Sequence, residues 1–159
     1  PTIKSFPLPF WYKQALLDNE IDFDSSIVFT GDFHMDSGVR GAEKILDSGN
    51  KPDAFMAATD VMAIGVIKCL KNRGISVPED VNVIGFDNIP LTTLIEPSLT
   101  TIAQPIKKLG IEAMNILIKK INNDSYSAQV ELDGKLIVRG STEKRKEDGD
   151  EVNKSYLYW

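Results

Sequence analysis

The sequence predicts an α/β fold, a parallel sheet with helices on both faces. Two observations predict it. Short apolar, β-branched or aromatic runs alternate along the chain with longer amphipathic runs, the pattern of βαβ units. The short runs are apolar almost throughout, as strands are when helices cover both sides of a sheet. Crossovers between such strands are right-handed.

Residues 10–19 read as a helix with Trp11, Ala15 and Leu16 on one face. Residues 26–30 (SIVFT) read as a buried strand. Residues 37–48 form an amphipathic helix that gathers Val39, Ala42, Ile45 and Leu46, and Gly49 with Pro52 stops it. Gly38 and Gly41 make a GxxG inside that helix, a weak signal by itself. Residues 53–58 (DAFMAA) are the next strand. Residues 60–73 are an apolar helix carrying Val61, Ile64, Ile67 and Leu70, closed by Gly74 in the left-handed cap position. A turn at 77–80 leads to a strand at 81–86 (VNVIGF). Residues 99–103 are extended and run to Pro105. The longest helix is Ile106–Asn122, with Ile106, Leu109, Ala113, Ile116, Leu117 and Ile121 on one face, and 136–138 is a last short strand.

Composition narrows the function. The 159 residues are 42% hydrophobic and 26% charged, as in ordinary soluble domains. With 18 Lys and Arg against 23 Asp and Glu, the net charge is −5, which disfavours direct DNA binding, since that needs clustered cations along a phosphate path. One cysteine, Cys69, excludes an internal disulfide and fits a reducing, cytoplasmic compartment, where it reads as a small buried hydrophobe. One histidine, His34, excludes a histidine metal cage and reads as a loop residue. No metal or cofactor is expected. No apolar run approaches the roughly 20 residues that span a bilayer, so no membrane contact is expected. Phosphate loops, nucleotide-binding glycine runs and nucleophile elbows are all missing, so an enzyme on this sheet is the weakest reading.

Ligands of open parallel sheets bind beyond the carboxyl ends of the strands. Each apolar run here delivers a polar or aromatic residue to that edge. Asp32, Phe33 and His34 follow 26–30, Thr59 and Asp60 follow 53–58, Asp87 and Asn88 follow 81–86, and Gln104 follows 99–103. Carboxylates and amides accept hydroxyl hydrogens, and an aromatic face stacks on a sugar or base. Such a set suits a neutral polyhydroxylated ligand and suits phosphate poorly. Each residue also has a plainer role open to it. Thr59 or Asp60 fits a helix N-cap, Asp87-Asn88 an ordinary turn, Phe33 a core position, and Gln104 a linker.

Several runs are similar to a known family. They are KPDA at 51–54 with ATDVMAIG at 58–65, GISVPEDV at 74–81 with VIGFDN at 83–88, PSLTTIAQP at 97–105, and VRGST at 138–142. These resemble the C-terminal part of the effector-binding, periplasmic-binding-protein-like core of lactose-repressor (LacI/GalR) family transcription regulators. The resemblance runs from about Lys13 to Thr142. It implies a fragment of a regulator whose operator DNA is bound by a separate helix-turn-helix head without counterpart here, and whose first strand of this lobe is also missing. It implies a small-molecule effector of the sugar class and a homodimer. Residues 13–103 would be the C-terminal lobe and 104–142 the crossover and return segment of the other lobe, flanked by an atypical segment at 1–12 and a charged, disordered tail at 143–159.

Carried over by position, Phe33 would pack on the ligand, Met56 and Thr59 would line the cleft, Asp87 would bind ligand hydroxyls or ring nitrogens, and Gln104 would lie at the crossover; Asp60 joins the expected ligand-binding residues through its place at the strand end. Where the family opens its first helix with Arg, aligning YKQAL at 12–16 places Leu8, and Trp11 replaces a Gly. The dimer contact would use Val61, Met62, Gly65, Val66, Leu91, Leu94 and Ile95. A sugar-binding protein of a transport system shares the architecture and is the alternative reading.

Overall fold

A computed structural model describes residues 8–122 and 126–142. The elements are α1 (Leu8–Asp18), α2 (Met35–Asp47), β1 (Ala54–Met56), α3 (Asp60–Asn72), β2 (Asn82–Asp87), β3 (Thr100–Ala103), α4 (Ile106–Asn122) and β4 (Lys135–Ile137), with 3-10 turns at Ser25–Ile27 and Pro90–Thr93. The expected tail at 143–159 lies outside the described residues, as does much of the segment at 1–12.

The four strands lie in the order β1-β2-β3-β4. The first three are parallel, and β4 closes the sheet antiparallel to β3. The core lies between this sheet, α3 and α2. Val83 of β2, Phe55 of β1, Leu70, Ile67 and Ala63 of α3, and Ala42 and Ile45 of α2 are all buried there. The face grouped by periodicity on α2 is the face that packs, with Val39 and Leu46 half-buried against the same core. Cys69 is buried in it as a free thiol.

Two helices approach backbone to backbone. A Cβ at Gly38 of α2 would overlap the Met62 carbonyl of α3, and one at Gly65 of α3 would overlap the Met35 carbonyl of α2. The GxxG is therefore a packing device: Gly38 admits α3, and Gly41 admits the ring of Phe29. Gly74, at φ +71, follows Arg73, the C-cap of α3, as expected.

The strand expected at 26–30 is not formed. Asp24 accepts from the Ser26 amide and caps a single 3-10 turn at Ser25–Ile27. Val28 has extended dihedrals, but a strand exists only where a neighbour supplies a ladder, and β1 stands at the edge of the sheet. Phe29 still reaches the core, so the apolar content of the run is used while its backbone is not. Residues 135–142, read from the resemblance as part of the other lobe, hydrogen-bond into this sheet. Ser141 accepts from the Val83 amide through its carbonyl, while its hydroxyl donates to the Val83 carbonyl and accepts from the Thr100 amide. It thereby stitches β2 to β3 below the point where their ladder begins. By contrast, α4 buries none of its residues.

The glycine contact makes a contrast that can be measured. Gly65→Ala should lower the unfolding free energy by about 1–3 kcal/mol, the usual cost of overpacking. Gly110→Ala, in open space on α4, should be tolerated. Urea denaturation of both variants checks this.

Candidate ligand site at the carboxyl edge of the sheet

β2 and β3 end together, while β1 stops earlier, at the level of Ile84. Asp87 closes β2 directly opposite Ala103, the end of β3, and β1 ends at Met56. This alignment brings Asp87 beside Gln104, whose Nε2 donates to Asp87 Oδ1 at 2.7 Å. Asp87 is half-buried. Burial pushes its carboxyl above the ordinary 3.8, the Gln104 hydrogen bond opposes this, and the nearby Asp60 charge adds to the rise.

Asp60 is fully buried, and both of its carboxylate oxygens are engaged within the chain. Thr101 Oγ1 on β3 donates to Oδ1 at 2.5 Å, and the Ile89 amide donates to Oδ2 at 2.8 Å. A Cβ at Gly85 would overlap Oδ1, so β2 carries glycine where this carboxylate lies. Expected as a ligand-binding residue from its place at the strand end, Asp60 instead lies beneath the edge, with one oxygen bonded to β3 and the other to the loop after β2. Thr59 takes the N-cap role: its hydroxyl accepts from the Met62 amide at 3.2 Å.

The loop after β2 is unusual. Asp87 has φ +119 and Asn88 φ +59, a region that residues other than glycine enter at a cost of about 1–3 kcal/mol each. Asp and Asn tolerate it better than most. The Asn88 amide donates to Thr101 Oγ1 at 3.3 Å. Arg139 holds the loop from outside. Its guanidinium donates to Asn88 Oδ1 at 2.7 Å, Thr92 Oγ1 at 3.1 Å and the Leu99 carbonyl at 2.8 Å. Arg139 was not among the residues expected at the site, although it lies within the VRGST run. Its guanidinium, set directly after the apolar run 136–138, is the available signal.

Phe33 and Met56 are exposed, at 67% and 50%. Phe33 has φ +67 on the loop before α2. That loop is pinned by Asp32, which accepts from the His34 amide, while its own amide donates to Ser37 Oγ. Hydrogen bonding to Ser37 and His34, with Arg40 alongside, holds the Asp32 carboxyl at about 2. At the same end of the sheet, Lys135 is paired with Ala103 and exposed.

The expected dimer residues divide. Met62 and Val66 are buried, and Gly65 is buried under Met35. They pack inside the chain because the glycine contact seats α3 tightly on α2. Val61 and Ile95 are half-buried, with Ile95 against the core. Leu91 and Leu94 remain exposed, Leu94 at 78%.

Polar groups thus gather at the carboxyl edge of the parallel strands. Residues 9–142 match the family model of the periplasmic binding protein-like domain. The chain belongs to that family, in the form carried by LacI-type transcription regulators. It is 39% identical over 132 residues to catabolite control protein A of Priestia megaterium, covering 82% of this chain and 40% of that protein. It is 41% identical over 132 residues to the HTH-type transcriptional repressor CytR of Escherichia coli K12, covering 82% of this chain and 39% of that one. The solved complex of the transcriptional regulator CelR with cellobiose superposes with a TM-score of 0.77 at 34% identity, over 82% of this chain and 40% of that one. The chain thus spans about two fifths of the length of these relatives. CytR and CelR are named as transcriptional regulators. Among the described residues no helix is long and apolar enough to cross a membrane.

The raised Asp87 pKa has a consequence for stability. The folded state holds this proton more tightly than the unfolded state, so stability falls as pH rises from 3.8 through the raised value. Asp87→Asn removes that fall. The variant should be more stable than the parent at neutral pH, with the difference closing below about pH 3.8. Urea denaturation at both ends of this range checks it.

Proposed function

We propose that this chain is the effector-sensing part of a LacI-type transcription regulator, and that its effector is a neutral polyhydroxylated molecule of the sugar class. The observation that carries the reading is the pairing of Asp87 with Gln104 at the carboxyl edge. Gln104 engages one oxygen of Asp87, which leaves the other as the acceptor for a ligand hydroxyl in this reading, and Gln104 adds a carbonyl acceptor. Thr59 offers a hydroxyl at the start of α3, Phe33 an exposed ring for stacking on a sugar face, and Met56 an apolar flank. The cellobiose bound by the CelR regulator is of this chemical class. The negative charge of Asp87 works against phosphate.

In this reading the regulator is cytoplasmic and controls operator DNA through a separate helix-turn-helix head. It acts as a homodimer, with Leu91 and Leu94 on the exposed contact. The relatives' names as catabolite control protein and transcriptional repressor favour a regulator over a transport protein.

Calorimetric titration with cellobiose tests the proposal. Losing a charge-assisted hydrogen bond of about 1.5–3 kcal/mol should weaken binding by about 10- to 100-fold in Asp87→Asn, without a lower Tm. Unchanged affinity with a lower Tm would mean that Asp87 only shapes its turn.

A further inference from the structure

We propose that Arg139 is a positioning residue for effector binding: its guanidinium, together with Asp60, which accepts from the Ile89 amide, fixes the Asp87–Ile89 loop in the conformation that presents Asp87 at the sheet edge. The inference rests on reading Asp87 as a ligand contact. It adds that the contact is set by a residue about fifty positions away in sequence.

The loop needs such a hold. Two successive non-glycine residues sit at positive φ, and a backbone of this kind persists only where its surroundings over-determine it. The hydrogen bonds converge on this stretch. Asp60 takes the Ile89 amide and Thr101 takes the Asn88 amide. Arg139 takes the Asn88 side chain. The same guanidinium is itself anchored on the Leu99 carbonyl and on Thr92, and its backbone amide donates to Thr100 Oγ1 at 2.8 Å. Arg139 therefore ties Asn88 to a fixed part of β3 and to the 3-10 turn at Pro90–Thr93. A planar fork with several N–H donors can reach three acceptors at once, whereas an ammonium acts as a point charge and does not reproduce that geometry.

The test is amide hydrogen exchange by NMR on the whole 159-residue chain, with Arg139→Lys as the variant that keeps the charge. The Asn88 and Ile89 amides should exchange at least about 10-fold faster in Arg139→Lys, while those of Ile84 and Phe86 in β2 keep their rates. The Asp87 carboxyl, followed by its carbon chemical shift, should titrate closer to the ordinary carboxylate value as the freed loop admits water. Arg139→Gln should show the same pattern. Unchanged rates at Asn88 and Ile89 in both variants would overturn the proposal. So would a uniform acceleration across the sheet, which would make Arg139 a general stabiliser. Asp87→Asn leaves the fork intact and should keep Asn88 and Ile89 slow. Its effect on cellobiose affinity bears only on the ligand role of Asp87, so the two readings fail separately.

Discussion

One buried carboxylate organises the working end of this molecule. Asp60 opens α3 yet lies fully out of solvent, where an uncompensated charge would be strongly destabilising. Its surroundings follow from that constraint. β3 supplies the Thr101 hydroxyl, the loop after β2 supplies the Ile89 amide, and β2 itself must be glycine at position 85. Helix, two strands and loop are joined at a single point, so the edge that carries Asp87 and Gln104 is built on rigid elements. A binding constellation needs that support, since small displacements of its groups degrade affinity.

The rest of the fold holds this point in place. The reciprocal glycine contact seats α3 on α2 and buries residues that would otherwise form an apolar surface. At the other end of the sheet, Ser141 satisfies backbone groups of both β2 and β3 where their own ladder stops. The return segment thus contributes twice within three residues: Ser141 joins the strands, and Arg139 reaches the loop.

Much of the fold is legible in the sequence because it rests on local pattern. The bounds of α4 and the start of α3 follow from periodicity and capping chemistry, and the lobe's strands at β1, β2 and β3 from apolar runs. The run at 26–30 misleads because strand propensity does not supply a neighbour. The helix after Asp60 reads as an interface because its apolar residues exceed what one sheet face needs; the surplus is taken up by α2, whose close approach depends on glycines far apart in sequence. Asp87 and Gln104 were legible as a shared edge through the rule of strand ends. The roles of Asp60 and Arg139 were not, because each is defined by partners more than 25 residues away. Sequence position placed Asp60 next to Thr59, and only burial separates their tasks.

Asp60 and Thr101 act as a unit holding the edge together. A double-mutant cycle with Asp60→Asn and Thr101→Val, followed by urea denaturation, tests it most directly. A coupling energy of about 1–3 kcal/mol is expected, because Thr101→Val leaves a buried Asp60 oxygen without its donor, and Asp60→Asn replaces one of the two acceptor oxygens with an N–H donor that must face either Thr101 or the Ile89 amide. Additivity within about 0.5 kcal/mol would contradict it and show that the two residues contribute independently.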